Sequence, residues 1–342
     1  MDTGFRPVFF EELDLLGLSS RWNYPSVDRP ILWARNRRYF YRNEVVMKAV
    51  GGGIFSKPDI ELKKDVLDME PEPFEKDISP IVHGTLDLIS STIERYKKEY
   101  DAIVVSFSGG KDSTVLLDLV SRAVSPNEFV VVFNDTTMEL STTYEAVTKA
   151  KERYPSLSFY TARSEIPAVE TWRLYAPPNR FERWCRRVHK SEPSLKLMRS
   201  IVGAGRILVI TGTRRSESSL RSRYSVLDEP DIKIRQTNFN AMLDWTLEDV
   251  WQYILQRKLF VNKAYRYGVR RIGCVLCPFL SNWDGFILWS VFREEMRPLL
   301  EIVVEYAVAK GIRDVSNFIA DMKWKSKILK PRQVDHLVSQ SI

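Results

Sequence analysis

The chain has 342 residues, about twice the common domain size of roughly 150, so one large domain with an appendage, or two domains, is expected. Its composition of 44% hydrophobic, 12% aromatic and 28% charged residues excludes collagen-like, coiled-coil and wholly disordered chains. No stretch approaches the ~18 apolar residues of a membrane span and the start lacks a basic leader, so a cytoplasmic protein without membrane contact is expected. The net charge of +7 is unevenly placed: twelve basic residues against three acidic ones lie between Arg180 and Arg223, and six with no acid between Arg257 and Trp283. Such segments are either solvated faces or a surface for phosphates or a nucleic-acid backbone.

Residues 1–79 read as an N-terminal appendage, because Pro7, Pro25, Pro30, Pro58, Pro71 and Pro73 interrupt any long periodic element. Within it, 31–42 and 44–53 predict the two strands of a hairpin, joined at Arg42–Asn43 and ended by Gly51–Gly53. A helix is expected to start at Ser79–Pro80, with Ile81, Leu86, Ile89 and Ile93 at helical spacing. Strands at 102–107, 129–135, 157–162 and 206–212 then alternate with helices at 111–124, 141–154 and 167–176. This rhythm predicts an α/β domain over 80–240, a largely parallel sheet with helices on both faces. Beyond Trp245 the pattern turns helical, so 241–342 predicts a helical C-terminal lobe that carries a C-x-x-C pair.

The most specific feature follows the first of those strands: Ser106-Phe107-Ser108-Gly109-Gly110-Lys111-Asp112-Ser113-Thr114. Glycines let backbone N–H groups turn inward around a phosphate, the following helix N-terminus adds positive dipole, and the serine hydroxyls and Lys111 add donors. The spacing is not that of a Walker A loop.

This string resembles the PP-loop (adenine-nucleotide α-hydrolase-like) superfamily of ATP pyrophosphatases, and within it the phosphoadenosine-phosphosulfate (PAPS) reductase-like branch. Asn134-Asp135-Thr136 with Glu139 and Tyr144, Thr211-Gly212-Thr213-Arg214-Arg215-Ser216-Glu217-Ser218, and Asp244-Trp245-Thr246-Leu247-Glu248-Asp249-Val250-Trp251 resemble further elements of that branch, over roughly residues 80–285. The resemblance implies ATP held by Ser106, Ser108, Gly109, Gly110, Lys111, Asp112 and Ser113, with Asp135, Thr136 and Gly212 beside it. It implies cleavage between the α- and β-phosphates and adenylation of a substrate oxygen. The catalytic candidates are Lys111, Asp112, Arg214 and Arg215: the cations neutralise the departing pyrophosphate, and Asp112 or Asp135 holds Mg²⁺ unless Asp112 is an ordinary helix-start acid.

The chain's three cysteines are too few for a disulfide framework and fit a reducing compartment. Cys185 lies 89 positions before Cys274, which forms C-x-x-C with Cys277, followed by Pro278. Spacing alone leaves open a zinc site with His189 as fourth ligand, a redox pair, buried inert thiols, or a [4Fe–4S] cluster with three thiolate ligands and one iron lacking a cysteine. The resemblance favours the cluster, because PAPS reductase-like and sulfur-transferring PP-loop enzymes often carry one near the nucleotide.

A sulfonucleotide reductase of this branch needs a further nucleophilic cysteine near its C-terminus, and none follows Cys277 here. An ATP-dependent sulfurtransferase is therefore expected. Arg183, Arg186, Arg187, Lys190, Arg270 and Arg271 surround the cysteines in sequence, with Trp184, Tyr265 and Tyr267 among them to stack on bases, so the expected substrate is nucleic acid. DNA phosphorothioation enzymes look more similar than tRNA-thiolating ones, which often carry extra zinc-binding C-x-x-C pairs. The sulfur donor implied is a cysteine desulfurase, and homodimerisation is left open.

Overall fold

The computed structural model describes residues 4–326 except residues 74, 230 and 232–234. Its N-terminal part runs β1 (Phe5–Val8), α1 (Phe10–Leu15), β2 (Trp22–Asn23), β3 (Leu32–Arg35), β4 (Arg38–Tyr41), β5 (Glu44–Val50), β6 (Asp59–Leu62) and β7 (Leu67–Asp68). β1, β3, β4, β5 and β6 form an antiparallel sheet in that order, while β2 pairs with β7. The hairpin expectation needs correction, because 31–42 is not one strand. Asn36 adopts φ 57° and folds β3 back onto β4, a left-handed conformation that asparagine tolerates better than most residues. Arg42 and Asn43, with φ of 49° and 64°, then make the expected tight turn into β5.

α2 (Ser79–Tyr96), with Pro80 in its first turn, leads into the second unit. That unit comprises β8 (Ala102–Phe107), α3 (Lys111–Ala123), β9 (Val130–Asp135), α4 (Ser141–Arg153), β10 (Ser158–Arg163), α5 (Ala168–Tyr175), α6 (Trp184–Arg186), α7 (Glu192–Val202), β11 (Ile207–Thr211) and β12 (Gln236–Asn240). Its sheet has the order β10-β9-β8-β11-β12, and every neighbouring pair is parallel. Val105, Phe107, Val131, Phe133, Leu208 and Ile210 enter one core together with residues of α2 and α3. Val104, Val132 and Ile207 pack in the other direction, against Met198 of α7. Apolar residues on both strand faces are what a parallel sheet covered on both sides requires. Chain order reverses between β8 and β11, and the crevice at the carboxyl ends of strands at such a switch point is where open α/β sheets bind ligands.

α8 (Leu247–Arg257) belongs to this sheet's core through Val250, Trp251, Tyr253 and Ile254. α9 (Asn282–Val291), α10 (Arg293–Ala309) and α11 (Val315–Ala320) instead share a core with the N-terminal sheet, where Leu13, Trp22, Ile31, Tyr39 and Met47 join Trp283, Ile287, Met296 and Trp324. The N-terminal sheet and α9–α11 thus form one body beside the parallel sheet. Among the described residues, no helix is long and apolar enough to cross a membrane.

Candidate functional site

At the carboxyl end of β8 the 106–114 string forms the turn into α3. Ser106 still pairs with Val132 in the ladder. The Ser108 N–H donates to the Ser113 hydroxyl at 3.1 Å and the two hydroxyls lie 3.1 Å apart, so one side chain of the helix's first turn closes the loop. Gly109 has φ 69°, and a Cβ there would meet Thr143 at 3.0 Å. The Gly110 carbonyl accepts the Ser113 and Thr114 hydroxyls at 2.9 and 3.0 Å, which fixes the N-terminus of α3.

Lys111 is buried and its ammonium meets Asp112 at 2.8 Å. Arg214, fully buried at the end of β11, donates its Nε to the other Asp112 oxygen at 2.7 Å. Burial by itself would raise the Asp112 carboxyl, but Lys111 and Arg214 outweigh it and hold the group below the ordinary carboxylate range. Burial pulls Lys111 down, and Asp112 and Tyr265 reverse this to hold it above the usual lysine range. The switch point therefore carries two fixed cations bridged by one ionised carboxylate, beside backbone donors. Gly212 permits this approach, since a Cβ there would lie 2.9 Å from the Asp112 carbonyl oxygen.

Arg215, the fourth catalytic candidate, turns away. Its guanidinium donates to Asp244 at 2.9 Å and to the Ser222 and Tyr224 carbonyls, bracing the loop after β11. Asp135 is fully buried, with one oxygen accepting from the Thr137 N–H and the Tyr144 hydroxyl at 2.8 Å each and the other taken by Arg163. Both proposed Mg²⁺ carboxylates are thus engaged by side chains of the protein. Thr136 donates its hydroxyl to Glu139 at 2.7 Å and lies 3.5 Å from the Cys274 sulfur, so it links the β9 end to the cysteines rather than to the loop.

Cys277 bears electrostatically on both Cys185 and Cys274, which places the three sulfurs in one neighbourhood. Burial pushes the Cys274 thiol up to about 12, against the pull of Lys190. The Cys185 thiol is raised as well, first by burial and then by Cys277, with Lys190 and Arg183 opposing. Lys190 in turn is raised chiefly by Cys274. A π-helical stretch, Arg187–Ser191, gives the segment its phasing: Lys190 faces the sulfurs while His189 is buried with its Nε2 2.7 Å from the Thr171 hydroxyl. His189 is therefore not brought to the thiols. Among the described residues, no three His, Cys, Asp or Glu side chains converge as they would around a single metal ion. The donor set is three thiols with Lys190 and Arg183 beside them, which suits a group bound by several thiolates.

Of the basic residues near the cysteines, Arg187 pairs with Glu192 at 3.3 Å and Arg270 with Asp284 at 3.5 Å. Arg183, Arg186, Lys190 and Arg271 have no carboxylate within salt-bridge distance among the described residues, and all four are exposed. The aromatics picked from the sequence are otherwise committed. Trp184 packs on Tyr175, Tyr267 on Phe292, and Tyr265 is buried with its hydroxyl accepting the Lys111 N–H at 3.1 Å.

Tyr265 is the site residue whose role the sequence hides. It comes from a 3-10 turn, Lys263–Tyr267, that the N-terminal part supports from behind. Arg6 and Glu12 form a buried bidentate pair at 2.6 and 2.7 Å, the Tyr39 hydroxyl donates to Glu12 at 2.7 Å, and a Cβ at Gly268 would strike that carboxylate at 2.5 Å. Arg266 of the same turn is paired with Glu11 and Asp28. The appendage thus reaches the nucleotide loop through one turn.

A parallel sheet with a Ser-Gly-Gly-Lys-Asp-Ser loop at its switch point defines a PP-loop nucleotide-binding α/β protein. Residues 102–280 match the model of the phosphoadenosine phosphosulfate reductase domain family, over half of the chain, and the protein belongs to that family. An uncharacterized protein of Methanocaldococcus jannaschii is 27% identical over 301 residues, 85% of this chain and 71% of that protein. A second uncharacterized protein of that organism is 31% identical over 71% of this chain, which spans about half (49%) of its length. An adenosine 5'-phosphosulfate reductase of Staphylococcus epidermidis is 28% identical over 64% of this chain and 88% of its own.

Proposed function

We propose that this protein is an ATP-dependent sulfurtransferase acting on nucleic acid, with DNA favoured over tRNA. ATP at the 106–114 loop would lose pyrophosphate as its α-phosphorus is transferred to a phosphate oxygen of the substrate; sulfide would then attack the adenylated phosphorus and AMP would leave with that oxygen. Lys111 and Arg214 would hold the pyrophosphate's charge, a reading supported by the Asp112 carboxylate that fixes both, while Arg215 braces the loop. With Asp112 and Asp135 engaged, Mg²⁺ would come chiefly on the phosphates. Cys185, Cys274 and Cys277 would hold an iron–sulfur cluster, which when bound supplies an iron site for sulfide. A cysteine desulfurase would provide the sulfur, in the cytoplasm, and a homodimer is compatible with the reading.

The observation that carries the nucleic-acid substrate is the set of four exposed cations that have no carboxylate partner among the described residues, two of which, Lys190 and Arg183, act on the thiols. A compact sulfonucleotide would need no such track. Reduction of an adenylyl sulfate is the second reading, favoured by the name of the Staphylococcus epidermidis relative. Incubation with ATP, sulfide and DNA should release pyrophosphate, and Lys111→Ala should abolish that release while leaving bound iron unchanged. Sulfite release from adenylyl sulfate, without pyrophosphate from ATP, would favour the second reading instead.

A further inference from the structure

The Tyr265 hydroxyl is shared by two segments that lie far apart in the chain. It accepts the Lys111 N–H at 3.1 Å at the start of α3, and the Ile272 N–H also donates to it. Burial raises the phenol above its usual range, so it stays protonated and keeps its own hydrogen to donate. A Cβ at Gly110 would lie 3.3 Å from the hydroxyl and 3.9 Å from the Ile272 Cβ, so the nucleotide loop packs on both residues. The tyrosine itself is held firmly, with its ring edge-on to Trp251 of α8 at 5.3 Å.

Ile272 sits between two anchors of the segment that carries Cys274. Before it, the Arg270 N–H donates to Asp284 of α9 at 2.9 Å. After it, the Val275 N–H donates to the Met138 carbonyl at 2.7 Å, and the Cys274 sulfur lies 3.5 Å from the Thr136 hydroxyl. A Cβ at Gly273 would meet nothing beyond its chain neighbours within 4 Å, so the stretch between the anchors has room to shift.

We infer that Tyr265 is a positioning residue that couples nucleotide occupancy of the 106–114 loop to the placement of Cys274 and Cys277. This rests on the nucleotide reading of the loop and adds the route by which the loop and the cysteines act together. A phosphate oxygen in the loop accepts the hydroxyl's hydrogen while the hydroxyl keeps both N–H groups. Loop, tyrosine and Ile272 are then tied through one oxygen atom, and the nucleotide orders the stretch that sets the cysteines.

The test is amide hydrogen exchange of the full chain, read by mass spectrometry with and without saturating ATP. In wild type, ATP should slow exchange over 106–114 and also over 271–277, the latter by about five- to 150-fold. Tyr265→Phe with ATP bound should keep the first effect and lose the second. Ile272→Ala, which removes the packing against Gly110 and leaves the loop's own residues intact, should also protect the loop and lose protection at 271–277. Wild-type protection of 271–277 in ATP-bound Tyr265→Phe would overturn the inference, as would a wild type whose loop is protected with no change at 271–277. If Tyr265→Phe takes up no ATP, Ile272→Ala decides, and wild-type protection of 271–277 there overturns the coupling. A wild type in which ATP slows exchange in neither region would instead remove the nucleotide reading itself.

Discussion

Gly212→Ala tests the construction of the nucleotide site with the smallest perturbation available. The added methyl would lie 2.9 Å from the Asp112 carbonyl oxygen and 3.1 Å from its carbonyl carbon, both backbone atoms that cannot swing aside. The loop after β11 must then separate from the first turn of α3. Overpacking of this kind costs about 1–3 kcal/mol, which should lower the thermal midpoint by about 2–6 °C. The functional cost should be larger in proportion. Arg214 and Asp112 are joined at 2.7 Å across the same seam, and displacing reacting groups by about 1 Å can cost on the order of a hundredfold. Isothermal titration with ATP should therefore show affinity reduced at least about tenfold. A variant that binds ATP as tightly as wild type would refute the claim that the Gly212 approach sets the site's geometry.

Three further outcomes are expected. Asp112→Asn should lose stability relative to wild type mainly at neutral pH. The folded carboxyl titrates below its unfolded value, so its stabilisation is present above the ordinary 3.8 and is lost as pH falls through the depressed value; the gap between the two thermal midpoints should close in strong acid, and a pH-independent gap would contradict this. Glu12→Gln would leave the buried Arg6 guanidinium without its counter-charge and should cost about 3–5 kcal/mol in urea unfolding, whereas a change below about 1 kcal/mol would show the pair to be dispensable. Cys274→Ala should remove the iron of anaerobically purified protein as measured by metal analysis, and full retention would exclude Cys274 as a ligand.

The loop was legible in the sequence because its chemistry is local: strand, glycine turn, lysine, acid and helix start all lie within residues 102–123. The parallel sheet was legible for the same reason, through apolar runs alternating with helical ones. The choice between Arg214 and Arg215 was not, since the backbone changes from extended at Arg214 to a 3-10 turn at Arg215 and only the position of Asp112, about a hundred residues earlier, selects one. Tyr265 likewise reaches Lys111 across 154 positions. In the N-terminal part, β3 and β4 each combine aromatic residues with an arginine, so the turn at Asn36 showed only as an asparagine among arginines.

The decisive measurement is of anaerobic protein incubated with ATP, labelled sulfide and DNA, with pyrophosphate, AMP and DNA-bound sulfur quantified together. The expected result is equal amounts of all three, falling together in Lys111→Ala. Sulfite formed from adenylyl sulfate, with no sulfur in DNA and no pyrophosphate from ATP, would contradict it.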